Sequence, residues 1–261
     1  KEKKEDDFNA RAALNRANRL AGRGALSRSV PVYEKILEHA HEKHTSAHFN
    51  LAEVLRAKKE YARALIHYQA YLNLGDDAGT RSDAEAGIEK LKASVWDKKF
   101  ATLSVNIEPT KQSTIAIDGF VVAENGPIDE MEVLAGEYTI RADAKDYHPD
   151  EKTVSIDNQG SASVSFDLEK KTFFGKATVS VDEKGATVKF HPKDLDAPDG
   201  PEEPVVKKSP LEKPVELETG KWLVEVTKPG FHRWVRYIKI KRDKEKVVNV
   251  ELSEKLPEEI R

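Results

Sequence analysis

The chain contains no cysteine at any of its 261 positions. Thiol catalysis, disulfide bridges and cysteine-ligated zinc are therefore excluded. It contains a single methionine, and aromatic residues make up only 7%. No stretch approaches the roughly 20 apolar residues that a helix needs to cross a bilayer. Charge of one sign is also lacking: 43 Lys and Arg face 46 Asp and Glu, for a net charge of −3. No strong field for nucleic acid or for an anionic membrane follows from that balance. The chain opens on Lys1 rather than Met, and a mature or trimmed fragment, its signal or lipid anchor upstream, is expected.

What is present is periodic. Residues 1–9 mix charges without an apolar stripe and read as a flexible end. Ala13, Ala17, Leu20 and Ala21 then recur at helical spacing, and Gly22 and Gly24 stop that helix. Val30, Tyr33, Ile36, Leu37 and Ala40 mark a second helix. A shift of 35 residues lays this plan on the next segment, so that Ala17 meets Ala52, Leu20 meets Leu55, Tyr33 meets Tyr68 and Leu37 meets Leu72. Asn50-Leu51-Ala52, Tyr61, Ala64, Tyr68 and Leu72 resemble the tetratricopeptide repeat family, with Ile88, Leu91 and Val95 as a capping helix over residues 10–98. The resemblance implies a concave face for a protein or peptide partner. Asn18 and Asn50 are candidates to hold a peptide backbone or carboxylate, and Arg19 and Arg56 complete the candidate partner-binding set. Solvated helix-face asparagines remain the alternative.

His39, His41, His44 and His48 cluster between the second and third helices. His44 and His48 are spaced to share a helix face, as metal ligands do. No acidic base sits between them, and an exposed polar turn is the reading preferred over a metal site.

From residue 100 the period changes to two. TLSVNIE, STIAIDG, EYTIRADA, KTVSI and ASVSFDL alternate, and one apolar face argues for a small β-sandwich over 100–169. A shift of 84 repeats it over 176–253: Gly136 meets Gly220, Tyr138 meets Trp222, Tyr147 meets Phe231, Val164 meets Val248 and Leu168 meets Leu252. Gly136 and Gly220 are both expected to use a positive φ before their strands. Ile115-Ala116-Ile117-Asp118-Gly119, Lys145-Asp146-Tyr147 and Lys228-Pro229-Gly230-Phe231 resemble the PEGA domain family. That resemblance implies a periplasmic or cell-envelope-associated protein. Tyr138, Tyr147, Trp222 and Phe231 are expected in cores, and Trp234 nearer the surface.

Residues 192–214 hold six of the twelve prolines and read as a mobile or polyproline-like insertion. Asp194, Asp196 and Asp199 lie there at spacing compatible with calcium, although Pro198 breaks the usual loop pattern. Residues 254–261 read as a tail, and Phe173 and Phe174 are expected to bury at the domain junction. No nucleophile elbow, phosphate loop or dinucleotide fingerprint occurs, so no catalytic residue, cofactor or metal is assigned. The sequence thus predicts a multidomain α plus β protein, with helical hairpins followed by two all-β sandwiches. Its expected role is that of a non-catalytic scaffold gripping a protein partner through the helices, with envelope components as further partners. The alternative is a carbohydrate- or cell-wall-binding protein that uses its β domains.

Overall fold

The computed structural model describes residues 8–39, 44–75, 78–95, 99–192 and 203–255. Five helices precede fourteen strands in four sheets among these residues, an α plus β multidomain protein with β-sandwich-like sheets. The chain divides into two compact units, Lys1–Lys170 and Lys171–Arg261.

In the first unit α1 (Ala10–Gly22) and α2 (Leu26–His39) form one hairpin, and α3 (Thr45–Ala57) and α4 (Tyr61–Leu74) form another. The Asn9 side chain accepts from the Ala12 amide at 2.9 Å and caps α1. Gly24 ends the hairpin turn at φ +75°. Ala17, Tyr33, Ile36, Leu51, Leu55, Leu65, Tyr68 and Leu91 form the buried helical core, the last of them from α5 (Ala78–Ser94).

Gly87 of α5 lies against the Tyr68 ring; a Cβ there would sit 2.6 Å from it. Tyr68 is fully buried and bound to Glu53 and Arg56, so it has no room to yield. Alanine gains about 1 kcal/mol over glycine within a helix, but overpacking a core costs about 1–3 kcal/mol. Gly87→Ala is expected to lower stability by about 1 kcal/mol net in thermal unfolding. Gly22→Ala, with no atom within 4 Å, is the control and is expected to leave stability unchanged or raise it by up to about 1 kcal/mol.

Seven strands complete this unit: β1 (Phe100–Glu108), β2 (Ser113–Ile117), β3 (Phe120–Glu124), β4 (Ile128–Leu134), β5 (Gly136–Ala144), β6 (Asp150–Ile156) and β7 (Ser161–Asp167). They make two sheets, ordered β4-β1-β7 and β3-β2-β5-β6. Asp118 (φ 49°) and Gly119 (φ 87°) form the two-residue β2–β3 turn, where two positive φ angles fit the strand twist.

The second unit repeats the design with β8 (Phe174–Val181), β9 (Thr187–Pro192), β10 (Val205–Lys208), β11 (Val215–Glu218), β12 (Gly220–Thr227), β13 (Trp234–Ile240) and β14 (Glu245–Val250), in sheets β10-β9-β12-β13 and β11-β8-β14. The 84-residue offset recurs in individual hydrogen bonds. The Tyr138 hydroxyl donates to the Leu134 carbonyl at 2.6 Å, and the Trp222 indole donates to the Glu218 carbonyl at 2.8 Å. His148 N donates to Glu169 O and His232 N to Ser253 O, both at 2.8 Å.

Several expectations are corrected. Gly220 has φ +152°, but Gly136 has no positive φ and is simply an extended strand residue. The Pro-rich insertion is not all irregular: Val205–Lys208, free of proline, is a strand paired antiparallel to Thr187–Phe190. Residues 193–202, with Asp194, Asp196 and Asp199, lie outside the described residues. Phe174 is 44% exposed, because period two puts it opposite the inward Gly175 and Ala177. Phe173 instead lies beneath the Arg242 guanidinium, 4.1 Å from its ring centre. Trp234 sits at the rim of the second core.

The helices have a definite relation to the first sandwich. Ile66, Ala70 and Leu74 share one face of α4 at four-residue spacing and belong to the core of that sandwich. An array of tetratricopeptide hairpins stacks each pair on the next; here the second hairpin turns this face onto a sheet protein.

Candidate functional site

Three of the four residues assigned to partner binding, Asn18, Asn50 and Arg56, are engaged with neighbours in the chain. The Tyr33 hydroxyl donates to Asn18 Oδ1 at 2.7 Å, and Asn50 Nδ2 donates to the same oxygen at 3.1 Å. Burial pushes the Tyr33 hydroxyl up to about 12. The 35-residue offset reappears one hairpin later, where the Tyr68 hydroxyl donates to Glu53. Arg56 joins that group, with Nε 3.2 Å from the Tyr68 hydroxyl and Nη2 2.6 Å from Glu53. Burial alone would raise the Glu53 carboxyl, but the hydrogen bonds from Arg56 and Tyr68 leave it below the usual carboxylate range. Arg19 is exposed on the last turn of α1, outside both networks.

The histidines separate. His41 and the His39 side chain lie outside the described residues. His44 is the N-cap residue of α3. His48 is buried and faces His67 of α4, not His44, with the two Nδ1 atoms 2.9 Å apart. The expected exposed turn is thus wrong for His48; His67, nineteen residues on, captures it. Among the described residues no group of three or more His, Cys, Asp or Glu is placed to hold a metal.

A different surface stands out in the second unit: the outer face of sheet β10-β9-β12-β13. Its registers place side chains in rows across the strands. One row runs Val235, Glu225, Lys189, Val206, and the next runs Tyr237, Leu223, His191. Lys239 and Lys221 pair in the row beyond. Tyr237 is 62% exposed, Val206 50% and Val235 48%. Glu225 anchors the middle, 2.9 Å from His191 Nε2 and 2.6 Å from Arg233 Nε. Burial acts to raise its carboxyl; His191 and Arg233 more than offset this and keep it ionised.

The first sandwich is a built-in comparison. At the same register positions its outer face has Glu151 for Val235, Thr153 for Tyr237, Thr139 for Leu223, Arg141 for Glu225, Glu137 for Lys221 and Ser155 for Lys239. Ala116 stands for Lys189 and Asp118 for His191. One copy of the sandwich therefore stands with a polar, net acidic face, and the other presents apolar and basic groups there. None of these residues is assigned to a binding face from the sequence, yet the 84-residue offset already sets Tyr237 against Thr153 and Lys221 against Glu137.

The protein is thus a helical bundle joined to duplicated β-sandwiches. No family model matches the chain, and no curated protein matches it. Among solved structures it is similar to the TIE protein of Bacillus anthracis, at 16% identity and TM-score 0.34, over 60% of this chain and 34% of that one. It is also similar to the minor pilin of Streptococcus agalactiae, at 11% identity and TM-score 0.27, over 60% of this chain and 99% of the pilin. A third is a DUF3823 family protein of Parabacteroides merdae, at 12% identity and TM-score 0.20, over 57% and 100%. The chain spans about a third of the length of the first of these.

The resemblances to the tetratricopeptide and PEGA families are thereby corrected: no family model supports either. The physical reason is visible in the turns. Asp146 (φ 66°) and Gly230 (φ 84°), on which the β resemblance leaned, occupy one positive-φ position at the 84-residue offset. Any tight turn of that shape selects Gly, Asn or Asp, so the motif reports a turn and not a family. No helix among the described residues is long and apolar enough to cross a membrane.

Proposed function

We propose that this chain is a non-catalytic binding protein that engages extracellular polysaccharide or cell wall through the outer face of its second sandwich. The helices brace the first sandwich in this reading and need not contact the ligand. The observation that carries it is the contrast between the two copies. The fold does not require apolar groups on that face, since Thr153, Thr139 and Glu151 serve in the first copy. Tyr237, Leu223 and Val235 expose apolar surface at a cost in solubility, and such surface is characteristic of interaction sites. An exposed tyrosine offers a rigid, amphipathic platform for a sugar ring.

The test is retention of the purified chain on insoluble bacterial cell-wall polysaccharide. The wild-type chain is expected to be retained, and Tyr237→Ala with Leu223→Ser to be retained several-fold less, with an unchanged circular dichroism spectrum. Thr153→Ala with Thr139→Ser, on the matching face of the first copy, is expected to leave retention intact. Equal retention of wild type and the Tyr237 variant overturns the reading.

A further inference from the structure

We infer that the polymer recognised by the second sandwich is an anionic, carboxylate-bearing polysaccharide. This rests on the proposed role of the Tyr237 face and adds the charge of its ligand. The face carries Lys189, Lys221 and Lys239, and none of the three is in an ion pair among the described residues. Its one acid, Glu225, is already held by His191 and Arg233 and has no free charge to repel an anion. The chain as a whole is net negative at −3, so the basic face runs against the average.

The duplicate shows that the basic character is local to this copy. Lys221 replaces Glu137, Lys189 replaces Ala116 and Lys239 replaces Ser155 at matching register. The face therefore differs from its counterpart in two respects together, aromatic for polar and basic for acidic. Both fit one ligand: the ring surface meets a pyranose, and the ammonium groups meet its carboxylates.

The arrangement favours an extended polymer over a folded acidic protein. Stable protein interfaces cover about 800 Å² per partner around a dry centre, and lysine is depleted from such centres. Here Lys189 lies in the row of Val235 and Val206, and Lys221 and Lys239 pair beside the row of Tyr237 and Leu223, so charge sits among and next to the four apolar groups. Strand neighbours lie about 4.8 Å apart and same-face residues about 6.6 Å apart along a strand. Charges so spaced on a flat sheet suit a solvated chain that lays successive carboxylates over it.

The experiment is affinity electrophoresis of the full chain in native gels containing polygalacturonate, dextran or poly-L-glutamate. Polygalacturonate is expected to retard the wild-type chain, with a retardation that weakens as salt is added. Lys221→Glu with Lys239→Ser, which restores the residues of the first copy and makes the face less positive by three charges, is expected to weaken binding about tenfold. Tyr237→Ala is expected to weaken it as well. If dextran retards the chain equally and Tyr237→Ala abolishes this, the anionic ligand is wrong and the face reading stands. Equal retardation by poly-L-glutamate, unaffected by Tyr237→Ala, overturns both, as does an absence of retardation in every gel.

Discussion

Ala70→Asp is expected to cost about 4 kcal/mol and to release the helices from the first sandwich while both remain folded locally. Ala70 is fully buried and lies between Ile66 and Leu74 in the core shared by α4 and the sheets. A carboxylate there loses its water and gains no partner, a penalty of several kcal/mol. It also adds volume to a packed site, at about 1–3 kcal/mol. Relief comes only by lifting α4 away, which forfeits the burial of Ile66 and Leu74, about 1.5–3 kcal/mol for each side chain. Hydrogen exchange is the sharpest readout: amides of β3 and β4 should lose protection while those of β8 and β14 keep theirs. Ala70→Gly, which costs only about 1 kcal/mol of helix propensity, separates a packing effect from a helix effect. If Ala70→Asp melts like the wild type, α4 does not hold the sandwich.

The second unit explains why this dependence belongs to one copy alone. Where the first copy has Ala123 and Leu134, both buried, the second has Lys207 and Glu218 at equivalent register, both exposed. The same edge is thus apolar in the first copy, where α4 packs against it, and charged and exposed in the second, and charge is an ordinary way in which sheet edges are protected.

The helical spacing of Ala17, Tyr33, Leu55 and Tyr68 and the alternation of β1, β5, β7 and their repeats were legible because burial on one face writes a period into sequence. Strands β3 and β4 were not, since both of their surroundings are partly apolar: Phe120-Val121-Val122-Ala123 faces a helix as well as a core, and alternation fades. Val205–Lys208 was hidden by its proline-rich neighbours. The bonding of the candidate partner residues was not legible for another reason. Asn18 and Arg56 look solvated in one dimension, and only the hairpin crossing shows that each meets a tyrosine hydroxyl fifteen or twelve residues away. The Tyr237 face is written in the sequence as a difference between the repeats, at positions where their likeness breaks.

The histidine pair sets the second large effect: the first unit should lose stability steeply between pH 6.5 and 4. His48 and His67 are both buried, with Nδ1 atoms 2.9 Å apart, so one ring donates and the other accepts and neither carries a charge. The His67 ring also packs edge-on against Phe120, 4.8 Å between centres, which ties α4 to β3. Burial lowers His48 from 6.5 to about 4. Burial also lowers His67 strongly, helped by His48 and by Arg63, which lines the same cleft of about 250 Å³ together with Asp118. In the unfolded chain these rings take up protons near 6.5, and in the folded chain only well below. Between those values the unfolded state binds more protons, so stability is complete above about 6.5 and drains as pH falls. His48 alone accounts for about 3 kcal/mol over that window at 1.36 kcal/mol per unit, and His67 adds in the same direction. Carboxylates such as Glu53, held below the normal value of 4.5, give up their contribution from about 4.5 downward, so the interval between pH 6.5 and 5 belongs to the histidines. Urea unfolding of the full chain at half-unit steps, followed by fluorescence and by exchange at β3, should give a slope between pH 6.5 and 5 that disappears in the His48→Leu, His67→Phe double variant. A wild-type profile flat over that interval would mean that the two rings are not neutral partners at the seat of α4.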